Sequence, residues 1–481
     1  MKPLRITIDV SPDYLLTVSE IRYVFETFLM TAGASIHFVR PKETSDIYFG
    51  SQDNSSLFQI RPNNLLRRYN LRQPKYHKIE DGICYFFFGS LPSSTQIVEK
   101  SKKCIVCNDI VLTSFYLLTC LEEESLTRNK FGFHDLCQSY RWQNKLLHTP
   151  IVNQYVDLIK DSLQNQHEFL PIWKDNKVCS FALTHDVDYP EMVPWVESIR
   201  YLLRYKGTFR KSLEILMGRE SFWKFDEWLN VEDKYDVNSA FYFCGFKNNL
   251  LKYFLKSPDP FYDVSASKYL QLLMSLKKAG REIGMHSSYL AYLSRDNLQH
   301  EKNTVEEALG KRIYGNRHHY WHLNQDKPTE TMKIHKEIGL FYDTSMSFEK
   351  HSGFRQGICT PFYLYSIEDQ DIVPLLQLPP TLMDDHLFGH ADNHSFARYQ
   401  DHITSLIAVI RRHNGLFMAD FHVRVLNETF FPCWKDAAEF LLQKITDDHC
   451  YQDTPFAIAK YWEERLTLLR KLSIYEECAA N

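Results

Sequence analysis

The segment FALTHDVDYP, residues 181–190, decides how the rest of the chain is interpreted. Its first residues are typical of a β-strand, yet they lead directly into Asp186 and Asp188, although acidic residues are depleted in strands. Two interpretations fit the segment alone. Aspartate and a Tyr-Pro pair are frequent in turns, so the carboxylates can belong to an ordinary loop. Alternatively, a ligand or a reaction requires two carboxylates at the end of a buried strand.

The composition restricts the class of protein. The chain has 481 residues, which is too long for one ordinary hydrophobic core and favours two or three domains. Hydrophobic residues make up 44% and charged residues 24%, as in an ordinary globular protein. The net charge of −4 is unlike that of nucleic-acid-binding proteins, which usually carry a basic domain. We therefore expect no nucleic-acid partner.

Three features predict a cytoplasmic location. The opening residues lack the long apolar run of a signal peptide. No stretch approaches the roughly 18 to 20 apolar residues that are needed to span a bilayer. The eleven cysteines are odd in number and show no spacing typical of a disulfide framework.

The residue pattern divides the chain into two parts. In residues 1–170, the strand-like LRITIDV precedes an amphipathic helix that ends at Gly33, and short β-branched and aromatic runs follow. This predicts a smaller α/β or α+β accessory domain. In residues 171–481, strand-like and helix-like segments alternate, which predicts parallel strands joined by crossover helices, in a barrel or a doubly wound sheet.

A long insert, residues 189–236, separates the first two strands of the second part and has helical periodicity. Its basic residues are clustered: Arg200, Arg204, Lys206, Arg210 and Lys211. The simpler interpretation is a solvated helix face. The alternative is a surface for an anionic lipid or substrate, with peripheral membrane contact.

The predicted strands of the second part end in residues that carry chemistry. In parallel α/β folds, reactive side chains stand at the carboxyl ends of the strands. The residues at these ends are Asp186, Asp188, His286, Arg317, His318, His319, Asp343, Asp420 and His422. Such a set of aspartates, histidines and an arginine is typical of a metal-dependent hydrolase.

Five segments of the second part, in this order, resemble the motifs of the polysaccharide deacetylase family (carbohydrate esterase family 4): LTHDVD, AFYF, AGREIGMHS, GNRHHYW and GLFMADFHV. Members of the family are metal-dependent esterases that remove N- or O-acetyl groups from sugars. The resemblance covers about residues 175–460 and implies a distorted (β/α) barrel. The first part, with IRYVFETFL and FYLLTCLEEE, resembles an uncharacterised domain that precedes a subset of these deacetylases in bacterial surface-polysaccharide gene clusters.

The resemblance implies a metal site with one unusual ligand. Asp188, in a D-x-D variant of the first motif, and His286 correspond to ligands of a divalent cation. The usual second histidine would follow His286 by four residues, where this chain has Leu290. Because alternate residues of an extended segment share a face, we expect His319 to replace it, with His318 as the alternative. Oxygen and nitrogen ligands suit Zn²⁺, and Co²⁺, Ni²⁺ or Mn²⁺ can take its place.

The same resemblance implies the catalytic residues. Asp186 is the base that takes a proton from water, and His422 is the acid that protonates the leaving amine or alkoxide. Arg317 keeps Asp186 ionised, since a cation within about 4 to 6 Å lowers the pKa of a carboxylate. A backbone N–H near Tyr320 helps to stabilise the oxyanion.

Three further residues are candidates for the substrate side of the site. Asp343 or Asp384 can orient His422 and keep it protonated, or both can be turn residues. Arg355 can bind an anionic substrate group or form a salt bridge within its loop. The expected substrate is an acetylated sugar, a nucleotide sugar or a lipid-linked glycan of surface-polysaccharide assembly.

Two other functions remain open on the sequence. Leu290 at a ligand position fits a pseudoenzyme that keeps the fold and only binds glycans. Asp186 and Asp188 also suggest the carboxylate pair of a glycoside hydrolase. However, side chains at i and i+2 of an extended segment point the same way, which leaves little room for a sugar between them.

Overall fold

The computed structural model describes residues 1–63, 65–66, 71–89, 96–100, 103–248, 258–388, 396–446 and 449–474. Within these ranges the strands form a six-stranded sheet in the first part of the chain, a ten-stranded sheet in the second part and a separate two-stranded hairpin. The mixed α/β class predicted from the sequence is confirmed.

The six-stranded sheet of the first part has the order β2-β1-β3-β4-β8-β7. Its neighbouring strands run parallel except β7 and β8, and β5 and β6 form the antiparallel hairpin. The strands are β1 (Leu4–Asp9), β2 (Ile36–Val39), β3 (Ile47–Gly50), β4 (Phe58–Ile60), β5 (Tyr76–Glu80), β6 (Ile83–Phe87), β7 (Ile97–Lys100) and β8 (Lys103–Val106). The helices are α1 (Val18–Ala32), α2 (Ile110–Leu118), α3 (Tyr140–Gln143) and α4 (Ile151–Leu163).

Both ends of α1 are fixed by local chemistry. The Thr17 side chain accepts a hydrogen bond from the Glu20 backbone N–H, and the Glu20 carboxylate accepts one from the Thr17 N–H. This reciprocal pair satisfies two N–H groups that have no partner within the helix. Gly33 ends the helix in the left-handed conformation, with φ of 100°, as predicted.

The ten-stranded sheet of the second part has the order β14-β15-β13-β12-β11-β10-β9-β17-β16, and β18 also pairs with β9. Its neighbouring strands are parallel except β14 and β15. The strands are β9 (Ser180–Val187), β10 (Ser239–Phe243), β11 (Glu282–Ser287), β12 (Gly315–His318), β13 (Tyr342–Asp343), β14 (Phe362–Ser366), β15 (Asp371–Gln377), β16 (Leu382–Met383), β17 (Leu416–Asp420) and β18 (Tyr451–Gln452).

Helices connect these strands, as the alternating pattern predicted. They are α5 (Pro194–Leu203), α6 (Phe209–Leu216), α7 (Phe225–Lys234), α8 (Ser267–Lys278), α9 (Arg295–Leu309), α10 (Pro328–Glu337), α11 (Asp384–Phe388), α12 (Phe396–Arg412), α13 (Trp434–Thr446) and α14 (Pro455–Leu472). The first three occupy the predicted helical insert. No helix in the described ranges is long and apolar enough to cross a bilayer.

The ten-stranded sheet is strongly curved. Three strands separate β12 from β17, which would place them about 19 Å apart in a flat sheet with strands about 4.8 Å apart. Nevertheless, the guanidinium of Arg317 on β12 contacts the carboxylate of Asp420 on β17 at 2.6 Å. The sheet therefore bends around its own side chains. Closure into a complete barrel stays a prediction.

Long-range contacts join the two parts of the chain. One apolar core includes buried residues from both large sheets. Arg141 forms a buried ion pair with Glu122 and donates hydrogen bonds to the carbonyl oxygens of Phe354 and Arg355. A disulfide links Cys179 to Cys450, 271 residues apart. Such a pair has no signature in cysteine spacing, which explains why the sequence did not indicate it.

Gly33→Ala should lower the melting temperature more than Gly310→Ala. Both glycines end a helix with positive φ, a conformation that costs alanine roughly 1–2 kcal/mol. A Cβ at Gly33 would collide with the carbonyl oxygen of Leu170, whereas one at Gly310 would meet nothing within 4 Å. The collision should add about 1–3 kcal/mol. Differential scanning fluorimetry of both variants measures the difference, and equal losses would contradict the close packing at Gly33.

Candidate metal centre and catalytic site

The candidate site forms at the carboxyl edge of the ten-stranded sheet. β9 carries Asp186 near its end, and Asp188 follows it. β11 carries His286, which is aligned with Arg317 on the adjacent β12. The carboxyl ends of parallel strands meet at one edge. Because the sheet also curves, residues from non-neighbouring strands lie within contact distance there.

Three buried side chains converge at this edge: Asp188, His286 and His319. The Oδ1 of Asp188 lies 2.9 Å from the Nε2 of His286 and 3.6 Å from the Nε2 of His319. Although these atoms lie close together, none of the three has a partner that satisfies hydrogen-bond geometry within the described part of the chain. A buried polar atom without a partner costs about 1–3 kcal/mol. One carboxylate and two imidazoles fit a divalent cation that keeps an open coordination position.

The surrounding hydrogen bonds favour the tautomers that a cation needs. The Nδ1 of His286 lies 2.9 Å from the carbonyl oxygen of Arg317, and donation of its proton there leaves Nε2 free to bind a metal. The Nδ1 of His319 lies 3.3 Å from the Asp259 carboxylate, which also accepts the backbone N–H of Tyr289 at 2.7 Å. Asp259 was not predicted, because it stands in a loop without any motif.

Leu290 and His318 lie apart from this cluster. Leu290 is 53% exposed, and its side chain has no atom that can bind a metal. This position therefore supplies no ligand. The Nε2 of buried His318 lies 2.9 Å from the Nε2 of His335. The structure thus brings His319, rather than His318, to the cluster.

Electrostatic interactions shift the pKa values of this cluster. Burial alone would raise the pKa of Asp188, but the imidazoles of His319 and His422 hold it well below its usual range. Burial alone would lower the pKa of His319, but the Asp188 carboxylate raises it to about 9. A cation at this point would therefore compete with a proton on His319.

Arg317 holds two carboxylates at the centre of the curved sheet. It is fully buried, and its guanidinium lies 3.0 Å from Asp186 and 2.6 Å from Asp420. Burial opposes its charge, yet these carboxylates keep the pKa of Arg317 above its ordinary value. Burial and the charge of Asp186 raise the pKa of Asp420 to about 7. Asp420 ends β17 and had no assigned role in the sequence analysis.

A second pair positions His422. Its Nδ1 lies 2.9 Å from the Asp384 carboxylate, which also accepts the His422 backbone N–H at 2.6 Å. Its Nε2 lies 3.0 Å from the Oδ2 of Asp188. Burial opposes protonation, but Asp384 and Asp188 raise the pKa of His422 well above its ordinary value.

The other predicted residues fall in different places. Asp343 is buried, accepts hydrogen bonds from Ser345 and lies 3.0 Å from His335, away from His422. The guanidinium of Arg355 forms two 2.7 Å hydrogen bonds with the carboxylate of Glu123, so its charge is already matched.

Tyr320 is 48% exposed and has a left-handed backbone, with φ of 57°. It lies on the wall of a cavity of about 320 Å³. The other residues that line this cavity are Asp186, Asp188, Arg204, His286, His318, His319, Trp321, Glu349, Lys350, Met383, Asp385, His422 and Arg424. The cavity thus contains the proposed metal ligands, and Arg204, Lys350 and Arg424 also line it. Arg424 was not predicted, although it follows His422 by two residues.

A groove of about 530 Å³ adjoins this cavity, and the two share Trp321, Glu349 and Lys350. One wall of the groove comes from residues 123–142 of the first part and the other from residues 321–355 of the second. The first part of the chain therefore contributes surface beside the candidate site.

Residues 15–168 match DUF7033, a family of unknown function. A search of curated proteins found no match. Three similar solved structures are a putative polysaccharide deacetylase from Mycobacterium smegmatis, Puue allantoinase and a CE4 family pseudoenzyme from Bacillus anthracis.

These three similarities are distant. Sequence identities to the three are 16%, 12% and 13%, and the TM-scores are 0.40, 0.41 and 0.30. The alignments cover 61%, 62% and 60% of this chain, and 93%, 95% and 66% of the respective structures. Polysaccharide deacetylases are thus structural neighbours of the chain, and its N-terminal region matches DUF7033, as the sequence motifs indicated.

The full chain, dialysed against Zn²⁺ and then against buffer, should retain one ion per molecule. His286→Ala and His319→Ala should each reduce this to near zero, because two ligands hold a cation far less tightly than three. His318→Ala is the matched control and should retain the ion. Elemental analysis by mass spectrometry gives the stoichiometry. Loss of metal in the His318 variant but not in the His319 variant would contradict the ligand assignment.

Proposed function

We propose that the chain is a metal-dependent hydrolase that removes N- or O-acetyl groups from a sugar or glycan intermediate. One observation carries the proposal: three buried ligand atoms of Asp188, His286 and His319 converge on one point, and none has a partner with hydrogen-bond geometry in the described part of the chain. Beside them, Asp186 and His422 line the same cavity. The distant similarity to deacetylases agrees with this assignment but is not its basis.

Asp186 is the proposed general base. A divalent cation, which we expect to be Zn²⁺, would act as a Lewis acid that lowers the pKa of a water molecule, so that its deprotonated form is available as the nucleophile. The Oδ2 of Asp186 lies 3.9 Å from the Nε2 of His286, so its carboxylate stands beside the cluster without joining it. Arg317 binds the other oxygen and fixes the carboxylate in place. Asp186 can then take a proton from water in the cavity.

His422 is the proposed general acid. The contacts with Asp384 and Asp188 raise the pKa of its imidazole well above the ordinary value and so favour the protonated ring. Its ring lies on the cavity wall, where it can give a proton to the departing amine or alkoxide. Asp384 is a positioning residue, because it holds the ring of His422 and does not line the cavity. A backbone N–H near Tyr320 is the proposed donor to the oxyanion.

Asp186→Asn should lower kcat for acetate release by at least about 100-fold, the smallest effect expected for loss of a general base. The variant should still bind one zinc ion, because Asp186 is not among the proposed ligands. An acetylated oligosaccharide is the substrate, and acetate is measured with a coupled enzymatic assay. Unchanged kcat would exclude Asp186 as the base.

The same assay separates the alternative functions. Leu290 favours a pseudoenzyme, for which neither acetate release nor bound metal is expected. A glycoside hydrolase would instead produce reducing ends without acetate. Acetate release from the wild-type chain, with no increase in reducing ends, supports the deacetylase.

The adjoining groove should bind sugar units beyond the acetylated one. Trp142 lines the groove and is 39% exposed, and an exposed aromatic ring can pack against a sugar. Trp142→Ala should raise KM for an acetylated oligosaccharide several-fold and leave KM for an acetylated monosaccharide unchanged. Phe131→Ala is the control, since Phe131 is exposed but does not line the groove. Equal effects on both substrates would contradict this role.

A further inference from the structure

We propose that the α5–α6 hairpin docks the cavity onto an anionic membrane surface, where the enzyme acts on a glycan linked to lipid through phosphate. The membrane contact stands on the hairpin itself. The substrate class rests on the proposed deacetylase function. Four features of the hairpin support the proposal: its apolar stripe, the orientation of its helices, its charge and its place beside the cavity.

Both helices expose apolar side chains at helical spacing. On α5 these are Trp195, Ile199 and Leu203, which are 53%, 51% and 77% exposed. On α6 they are Phe209, Leu213 and Leu216, which are 76%, 45% and 49% exposed, and Met217, 52% exposed, directly follows the helix. Spacings of three and four residues put each set on one side of its helix. We call these seven residues the apolar stripe.

The two halves of the stripe lie on the same face of the hairpin. The helices touch at Ser198 and Ser212, whose hydroxyls are 2.8 Å apart. The short connection between them makes the helices antiparallel. Ile199 and Leu213 each directly follow a contact serine. Because both helices are right-handed and run in opposite directions, the same rotation from the contact brings both residues to one outer face.

The other side of the hairpin is already packed. Ile215 is fully buried in a small core with Phe222 and Phe430, and the contact serines are buried as well. The hairpin is therefore packed on this side, and the side chains of the apolar stripe are exposed on the other. Contiguous apolar surface of this kind marks an interaction site in soluble proteins.

The charge of the hairpin identifies the partner as anionic. Residues 194–220, which include Glu220 as the ion-pair partner of Lys211, contain six basic and three acidic residues, a net charge of +3, although the whole chain carries −4. Arg204 and Lys206 are exposed in the connection between the helices. Aromatic and aliphatic side chains on one face, flanked by lysine and arginine, are typical of helices that lie in the interface of an anionic bilayer.

The hairpin adjoins the mouth of the catalytic cavity. Arg204 directly follows Leu203, the most exposed residue of the stripe, and lines the cavity together with Arg424 and Lys350. Three cationic side chains on the rim can bind a phosphate between lipid and sugar. A lipid-linked glycan could thus keep its lipid in the bilayer while its acetylated sugar reaches Asp188.

Flotation of the full chain with vesicles tests the contact. The wild type should bind vesicles of phosphatidylcholine mixed with phosphatidylglycerol, and bind phosphatidylcholine alone weakly. A Leu203→Glu, Phe209→Glu double variant should lose on the order of tenfold in partitioning, because two exposed apolar groups no longer enter the bilayer. The matched control, Leu270→Glu with Met274→Glu, changes two exposed apolar residues on α8 and should bind like the wild type.

The proposal would be overturned by no binding of the wild type to anionic vesicles, by undiminished binding of the stripe variant, or by equal loss in the control. Sedimentation velocity tests the alternative that the stripe joins two copies of the chain. A wild-type dimer that the stripe variant abolishes, without vesicle binding, would also overturn it. Acetate release from a soluble substrate by the wild type is a separate measurement. Its absence would contradict the deacetylase function but not the membrane contact.

Discussion

Arg317 is the residue around which the second part of the chain is built. A fully buried guanidinium is costly unless its charge is paired, and here Asp186 from β9 and Asp420 from β17 provide the pairing. These contacts connect β12 to strands that a flat sheet would keep far away. The ion pairs can therefore form only if the sheet curves, and they in turn stabilise that curvature. The same curvature brings the ends of β9, β11 and β17 close enough to form one site.

Asp188 connects the two halves of that site. Its Oδ1 approaches His286 and His319, and its Oδ2 contacts His422. One buried carboxylate is thus shared between the proposed cation site and the proposed acid. Asp259 and Asp384 hold the two imidazoles in place. Asp259 contacts the Nδ1 of His319 and Asp384 contacts the Nδ1 of His422, while the Nε2 of each ring lies near Asp188. This geometry can keep the acid protonated beside a metal that requires neutral histidines.

Features that depend on neighbouring residues in the sequence, such as the limits of helices and strands, could be predicted. Strand ends and helix limits such as Gly33 follow from residue spacing. Alternation along an extended segment favoured His319 over His318, but the strand ends at His318 and His319 begins a 3₁₀ turn, so its place at the cluster does not follow from alternation. Contacts between distant residues could not be predicted. Arg355 pairs with Glu123, 232 residues away, and Asp259 reaches His319 from a loop without a motif. The antiparallel β14 resembles any other buried strand, so its direction follows only from its pairing with β15.

The position of the cation is the most direct test of this account. Crystals of the full chain grown with Zn²⁺, measured above and below the zinc absorption edge, locate the ion by anomalous scattering. The account predicts one peak bonded to Asp188, His286 and His319, at zinc–ligand distances of about 2.0–2.2 Å. A peak at another place would contradict it, as would hydrogen bonds among these three side chains with no ion between them.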